Sequence, residues 1–383
     1  MELVAYAVPA FIVFALLEAL IGRLLGRKLY RHNDFVSALG CGALDQIVNA
    51  SAIVVFLGAY AWLGSHFGLS PASRRNVAGW VLAFLGYDLC YYAFHRACHR
   101  VNFLWATHIV HHQSDEYNLG VSLRQGAIAT WVTYVFYLPL ALVGVPIEVF
   151  LVVHGAYQLY QFFVHTRLVK SLGPLEWIFA TPSLHRVHHG RTPDCLDKNY
   201  GGFLNVWDRL FGSYARERRE PAFGITTGIR AWSPFWANVH HFTELFHASR
   251  TAPTLGGAVK VWLAPPEWKA PWLPEPPYHE RYDERPWPAF TPYVFLQLAF
   301  ALAGGWLLLV RGGTLADWVR YVFSGLVLMT LFSVGAFFDR KPWAPVLEGV
   351  RTFVIAGVFT ALVALGVVSA AVGAAVTLTT LVS

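Results

Sequence analysis

Long apolar runs separated by short polar stretches extend over most of the chain. A run of about 20 apolar residues forms a helix long enough to cross the hydrocarbon core of a bilayer, which is about 30 Å thick. Runs of this kind predict eight membrane spans, near residues 3–25, 38–64, 78–94, 126–143, 146–165, 289–310, 315–337 and 350–378. We therefore expect an all-α fold, a polytopic membrane helical bundle of about eight spans.

The segment between the fifth and sixth predicted spans, residues 166–288, is long and more polar than the spans. Its last part, residues 264–288, is rich in proline, which interrupts helices. We interpret this part as a linker or a strap along the membrane surface. On this basis the chain divides into N-terminal spans at 1–77, a core at 78–250, a Pro-rich linker at 251–288 and a three-span region at 289–383.

The composition agrees with an integral, multi-pass membrane protein. Hydrophobic residues make up 56% of the 383 positions and charged residues only 14%, which excludes a disordered chain and a nucleic-acid-binding protein. The formal net charge of +6 is too dilute to define an anion-binding surface. The four cysteines form no CxxC pair, so neither a disulfide framework nor a zinc ribbon is indicated.

Basic residues in the loops predict the orientation. Arg23, Arg27, Lys28 and Arg31 follow the first span, and Arg340 follows the seventh, so these loops are expected in the cytoplasm. Counting spans from there places the ends of spans three and five, and residues 166–288, on the same side. The excess of Arg over Lys and the presence of only two Met favour a bacterial cytoplasmic membrane.

Eight of the 16 histidines lie in three short boxes: His95 and His99; His108, His111 and His112; His185, His188 and His189. Side chains three or four residues apart share one face of a helix, so each box can aim several imidazoles at one point. Adjacent histidines diverge by about 100° around a helix, which suits each HxxHH box to serve two nearby centres. We expect a His-rich helical cap on the cytoplasmic side.

Clustered imidazoles at membrane depth predict a metal site, because unpaired polar groups there are costly. Eight imidazoles are too many for one ion, but divided between two ions they supply about four ligands each. Imidazole-only sites suit zinc, iron, copper or nickel, and a zinc hydrolase needs only three protein ligands around one ion. The number of histidines therefore favours a dinuclear redox centre, in which iron activates O₂ for attack on a C–H bond of a lipid.

Further polar residues lie near these boxes in the sequence. His165 ends the fifth span on the same side and is expected as a ninth ligand, with Gln161 one turn away as a partner of water or of a ligand. His154 lies about three turns earlier, where an intramembrane hydrogen bond is the simpler interpretation. Asp88 shares a helical face with His95, and either orients a ligand imidazole or pairs with an arginine.

The three boxes resemble the tripartite histidine signature of the fatty acid hydroxylase/sterol desaturase superfamily of membrane di-iron oxygenases. Longer motifs, at 87–95, 111–119, 181–190 and 207–212, resemble its alkylglycerol monooxygenase-like branch, whose enzymes cleave ether lipids. The resemblance extends over roughly residues 80–250.

The resemblance implies hydroxylation of a lipid carbon by O₂ at a site with two Fe ions and an external electron donor. It implies the following iron ligands: His95, His99, His108, His111, His112, His165, His185, His188 and His189. Asp88, Gln161 and Asn118, the last within the 111–119 motif, are expected to support these ligands. Arg100 stands where animal members of the branch carry an acidic residue, so both tetrahydrobiopterin and a redox protein stay open as the donor.

Two other functions stay open at this stage. One is a sterol or fatty acid hydroxylase or desaturase that uses the same metal centre. The other is a non-catalytic metal-binding membrane protein, such as a transporter or a store. The three C-terminal spans lie outside the resemblance, and we expect them to serve homo-oligomer formation, lipid access or docking of the electron donor.

Overall fold

The computed structural model describes residues 2–69 and 76–369, together with 373 and 376. These residues form helices and loops, and within them only two isolated β-bridges occur and no strand. The predicted all-α fold is therefore confirmed. The α-helices are α1 (Glu2–Leu24), α2 (His32–Phe67), α3 (Val77–Arg100), α4 (Asn102–His112), α5 (Leu119–Ser122), α6 (Ala129–Thr133), α7 (Leu138–Leu142), α8 (Ile147–Val164), α9 (Pro182–His188), α10 (Val206–Leu210), α11 (Pro234–Arg250), α12 (Leu255–Leu263), α13 (Thr291–Arg311), α14 (Asp317–Phe338) and α15 (Ala344–Ala364).

Seven of the helices in the described residues are long and apolar enough to cross a membrane: α1, α2, α3, α8, α13, α14 and α15. Only 22–50% of the residues in their most apolar stretches are buried inside the protein, which leaves wide apolar faces for lipid. The bundle is thus an integral membrane protein. The last span was predicted at 350–378, and its helix, α15, begins at Ala344 and ends at Ala364. Most of residues 370–378 lie outside the described residues.

The fourth predicted span departs from the expectation of one continuous helix. Its residues form α6, a 3-10 turn at Tyr134–Tyr137 and α7, so the apolar element runs from Ala129 to Leu142 in three pieces. Pro139 lies in the first turn of α7, and proline has no N–H to continue the hydrogen bonds of a preceding helix. The broken element is buried in part by an aromatic core that includes Phe56, Tyr87 and Phe150.

The three C-terminal spans are packed against the N-terminal half. One hydrophobic core contains Val36 and Leu44 of α2 together with Leu298 of α13 and Leu331 of α14. Phe337, near the end of α14, is only 2% exposed in the same core. Residues 289–364 are therefore part of the bundle that holds the histidines.

The Pro-rich segment lies across the histidine-bearing side of the bundle. Asn33 and Trp232 both donate to the Glu284 carbonyl, at 2.6 and 2.8 Å, and Arg31 donates to the Tyr282 carbonyl at 3.2 Å. The segment therefore follows the protein surface as a strap, held by its backbone carbonyls and by ion pairs such as that of Arg281 with Glu116.

Candidate metal centre

Nine histidines converge in two groups between the ends of α3, α4, α8 and α9. In each group, one ring nitrogen from every member lies within 4.8 Å of those of the others, and all nine side chains are buried. The five-histidine group consists of His95, His99, His108, His112 and His188. The four-histidine group consists of His111, His165, His185 and His189.

Local helix geometry explains how the boxes are divided. His108 and His112 are four residues apart on α4 and join one group, whereas His111 points to the other. His188 and His189, adjacent at the end of α9, are separated in the same way. Each HxxHH box therefore contributes to both groups, as its spacing predicts.

The first two boxes are brought together by a sharp corner. Val101 alone separates α3 from α4, and its extended backbone (φ −133°, ψ 119°) turns the chain back on itself. The side chain of Asn102 donates to the Val261 carbonyl at 3.0 Å, which fixes the corner against α12. The corner brings His95 Nε2 to 3.1 Å from His108 Nε2.

Backbone carbonyls orient four of the rings. The Nδ1 atoms of His95, His111, His165 and His188 lie 2.9, 3.0, 2.7 and 3.0 Å from the carbonyl oxygens of Tyr200, Arg124, Gln161 and Lys198. A carbonyl oxygen only accepts hydrogen bonds, so each of these Nδ1 atoms carries the hydrogen. Each Nε2 atom then presents a lone pair to the centre of its group.

These lone pairs meet at distances that two neutral imidazoles do not favour. His111 Nε2 and His165 Nε2 are 3.1 Å apart, although both are acceptors. A proton on one ring would relieve the repulsion, but burial lowers the pKa of His111 to about 4 and that of His165 well below its usual value. A cation between the rings satisfies both lone pairs.

Three further ring nitrogens have no partner at all. The Nε2 atoms of His99, His188 and His189 are buried and form no hydrogen bond. Leaving a buried polar atom unsatisfied costs about 1–3 kcal/mol. Two nitrogens bound at right angles to one ion at about 2.1 Å lie about 3 Å apart, close to the spacing of the rings here. The residues thus fit bound metal, and an all-imidazole donor set suits iron.

The three residues expected to support the ligands act on the chain around them. The carboxylate of Asp88 accepts from Tyr157 Oη at 2.7 Å, from Trp207 Nε1 at 2.7 Å and from two backbone N–H groups at 203 and 204. Asp88 therefore binds the loop that contains residues 203 and 204, whereas we expected it to bind an imidazole or an arginine. Gln161 donates to the Gly202 carbonyl, in the same loop.

Asn118 caps α5 and lies outside both groups. Its side chain accepts from Gly120 N at 3.0 Å and donates to the Leu29 carbonyl at 2.9 Å. His154 also lies outside them, with Nδ1 2.8 Å from Tyr87 Oη. The intramembrane hydrogen bond expected for His154 is therefore present.

The sequence did not indicate a role for Asp208, which organises the loop that supplies two of the carbonyls. Its buried carboxylate accepts from Tyr200 N, Gly201 N and Ser213 Oγ, at 2.8, 2.7 and 2.7 Å. Two residues of this loop, Asp197 and Asn199, have left-handed backbones, with φ of 57° and 55°. The signal in the sequence is the place of Asp208 within the 207–212 motif, which carries the family resemblance but does not indicate what the carboxylate binds.

Arg124 fixes the other side of the centre. Its fully buried guanidinium donates to the Val110 carbonyl at 2.8 Å, to Ser37 Oγ at 2.8 Å and to Gln113 Oε1 at 2.7 Å. These bonds hold α4 against α2. They also position the Arg124 carbonyl that accepts from His111.

Comparison with known proteins agrees with this geometry. A family model described as fatty acid hydroxylase matches residues 80–213, which include all nine histidines. Alkylglycerol monooxygenases from Xenopus tropicalis, Danio rerio and Homo sapiens are 33%, 36% and 32% identical to the chain. The alignments cover 91% of this chain in each case and 80%, 80% and 81% of the relatives. The chain belongs to the alkylglycerol monooxygenase family.

Membership of this family confirms the prediction of an enzyme. The chain is a membrane-bound monooxygenase that uses O₂ and acts on a lipid. The alternative of a metal-binding protein without turnover is not supported. No solved structure matches the chain.

Proposed function

We propose that the nine imidazoles hold two iron ions, one in the five-histidine group and one in the four-histidine group. The observation that carries this proposal is that ring nitrogens which are both hydrogen-bond acceptors lie close together, such as His111 Nε2 and His165 Nε2 at 3.1 Å. The ligands come from α3, α4 and α9, and from His165 directly after α8.

Iron held there would supply the capacity to bind O₂ and to activate it for attack on a C–H bond. The overall reaction converts R–H, O₂, two electrons and two protons into R–OH and H₂O. The protein keeps the imidazoles neutral by burial, fixes their orientation through backbone carbonyls and excludes bulk water from both groups. No protein nucleophile takes part.

We propose an alkyl ether lipid as the substrate, in keeping with the names of the relatives. Hydroxylation of the carbon next to the ether oxygen gives a hemiacetal, which breaks into an aldehyde and an alcohol. Apolar rings adjoin the five-histidine group, because the ring of Phe94 lies 6.3 Å from His108 and 5.7 Å from Phe136 of the broken fourth element. Phe136 is half-buried, so we propose that the alkyl chain of the substrate approaches the histidines along this side.

We infer that the histidine groups face the cytoplasm of a bacterial cell. The loops that follow α1 and α14 carry Arg27, Lys28, Arg340 and Lys341, and these loops lie on the side of the histidines. Residues 78–250 form the catalytic core in this proposal. The electron donor reaches the enzyme from the same side.

Product analysis tests the proposal. The full-length enzyme is purified without oxygen, loaded with ferrous iron, reduced with dithionite and freed of the excess before O₂ is added. It is then expected to convert 1-O-alkylglycerol into a fatty aldehyde and glycerol in a single turnover. The matched substrate is the 1-acylglycerol of the same chain length, in which the ether is replaced by an ester. We expect no aldehyde from it.

A chain that keeps its ether bond and gains a hydroxyl or a double bond would overturn ether cleavage in favour of the fatty acid or sterol type of reaction. Iron analysis of the same preparation tests the metal content, and we expect two ions per chain. A single ion bound by the four-histidine group alone would contradict the dinuclear centre.

A further inference from the structure

Large apolar side chains are exposed on the loops that surround α9, outside the membrane-spanning helices. They come from two stretches of the chain, 175–180 and 203–211, and are 48–69% exposed: Leu175, Trp177, Ile178, Leu210 and Phe211. We call these five side chains the apolar patch. Contiguous exposed apolar surface marks a site that contacts another molecule or the membrane. The proposed iron ligands and the strap do not account for it.

The two stretches are bound to each other. Asn205 N donates to the Ile178 carbonyl at 2.7 Å, and the Asn205 side chain donates to the Glu176 carbonyl at 2.8 Å. Ala180 N donates to the Phe203 carbonyl at 2.9 Å. The paired stretches, 175–180 and 203–211, therefore form one unit that carries the whole apolar patch.

The paired stretches lie along one face of the spanning helix α3. The ring of Phe203 lies 5.0 Å from that of Phe84, and Phe203 N donates to Asp88 at 3.1 Å. Phe211 stacks on Tyr92 with ring centroids 5.4 Å apart. The three contacted residues of α3 follow one another at intervals of four, so the contact extends over two turns of this helix.

The position of these contacts on α3 sets their depth in the bilayer. Because α3 has 24 residues, it is about 36 Å long. Phe84, Asp88 and Tyr92 occupy its middle, so they lie within a hydrocarbon core about 30 Å thick wherever that core is placed along the helix. Phe203 also stacks on Tyr160 of α8 at 4.0 Å. The paired stretches thus lie beside two spanning helices at the depth of the lipid chains.

Polar groups of the paired stretches are satisfied within the protein, as hydrocarbon requires of a non-helical segment. The bonds described above satisfy backbone groups at 176–180 and 203–205. The carboxylate of Glu176 is buried and accepts from Leu172 N at 3.1 Å. The guanidinium of Arg209 lies 4.3 Å from the ring centroid of Trp177 and donates to the Glu176 carbonyl at 3.2 Å. Polar groups are therefore turned inward, and apolar side chains are turned outward.

We propose that the apolar patch is embedded in the bilayer and contacts the acyl chains of the leaflet on the side of the histidine groups. The patch continues the lipid-facing surface of α3, where Leu85 and Leu89 are 39% and 38% exposed. The paired stretches enter the lipid without crossing it, so they anchor the chain around α9 in the membrane as a non-spanning element. This inference goes beyond the proposed reaction and does not depend on it.

Spin labels test the location of the patch. The full-length protein carrying Cys90→Ala, which removes the half-buried cysteine and leaves the three buried ones, receives a nitroxide at Leu210→Cys. It is placed in nanodiscs of phosphatidylcholine and phosphatidylglycerol that hold one chain each. Power saturation measures collisions of the label with O₂, which enters hydrocarbon, and with the water-soluble nickel complex Ni(II)EDDA.

We expect the label at Leu210→Cys to be accessible to O₂ and its accessibility to the nickel complex to be at most about a tenth of that at a water-exposed site. Glu280→Cys, whose side chain is 77% exposed in the strap, is that water-exposed control. Leu82→Cys, which is 66% exposed on α3, is the lipid-facing control, and its accessibilities should match those of Leu210→Cys. Trp177→Cys provides a second label site in the patch if Leu210→Cys does not fold.

Accessibility to the nickel complex equal to that of Glu280→Cys would show that the patch faces water and would overturn the proposal. Low accessibility to both reagents would show that protein covers the patch and would also overturn it. The measurement needs neither iron nor turnover, so it leaves the proposed function to its own test.

Discussion

Two buried polar clusters of this bundle differ in how completely their members satisfy one another. In the C-terminal spans, Arg351 is 1% exposed and donates to Glu348 Oε2 at 2.8 Å, to Thr330 Oγ1 at 3.1 Å and to Gln297 Oε1 at 3.0 Å. Ser333 donates to the same glutamate. The histidine groups, by contrast, bring acceptors together and leave three Nε2 atoms without a partner.

The comparison separates two reasons for polar residues within an apolar bundle. Opposite charges with matched donors and acceptors stabilise one packing of helices and require nothing further. Acceptors that face each other require a cation. Removing a residue from the first cluster should therefore affect folding, and removing one from the second should affect metal content.

The largest expected effect is the loss of a ligand from the smaller histidine group. His185→Ala leaves three imidazoles there, so we expect iron to fall from two ions to one per chain and lipid oxidation to fall at least about 10³-fold. Elemental analysis and product formation measure both quantities. His66→Ala, an exposed histidine at the far end of α2, is the control. Wild-type iron content in His185→Ala would remove this residue from the ligand set.

The C-terminal cluster provides the opposite test. Arg351→Met leaves the carboxylate of Glu348, whose side chain is only 12% exposed, without its charge partner, and we expect the free energy of unfolding to fall by about 3–5 kcal/mol. The double variant Arg351→Met/Glu348→Met removes both charges and should recover most of this loss. Denaturant titration in detergent measures stability. Folded Arg351→Met should keep two iron ions, and a selective loss of iron would contradict the contrast between the clusters.

A smaller effect is expected from the loop behind the five-histidine group. Asp208→Asn keeps the shape of the side chain but weakens the hold on Tyr200 N and Gly201 N, so the carbonyl that orients His95 is free to shift. We expect iron affinity at this group to fall about 10–100-fold, measured by competition with a chelator. Asp317→Asn, whose side chain is 77% exposed, is the matched control. Equal affinities would show that the loop does not need the carboxylate.

The smallest effect per residue is the pH dependence of the metal-free fold. Burial holds the pKa of His111 at about 4, below its ordinary value of 6.5, and also lowers the pKa of His185 well below that value. Below pH 6.5 the unfolded chain therefore binds more protons than the fold, and stability falls as the pH falls. We expect a loss of about 1 kcal/mol per such histidine for each pH unit between 6.5 and 5. Bound iron should offset part of this loss of stability. Equal stability of the metal-free protein at pH 7 and pH 5, measured by denaturant titration, would contradict neutral, buried rings.

Much of the fold follows from local patterns along the chain. Apolar runs long enough for a bilayer predicted the seven long helices, because burying backbone hydrogen bonds in lipid leaves few alternatives to a helix. The break in the fourth element was not predicted, since its composition is as apolar as that of its neighbours. Pro139 was the only local signal.

The sequence by itself determined that imidazoles would meet, because the spacing of His108, His111 and His112 fixes which rings share a face of a helix. Only the tertiary structure decided which boxes combine, because that depends on the corner at Val101 and on the docking of α9. It also decided that Asp88 and Asp208 hold a loop. Asp88 and Trp207, which form one of these contacts, are more than a hundred positions apart in the sequence. Helical period is a local property, whereas the partner of a buried carboxylate is set by the packing of the whole bundle.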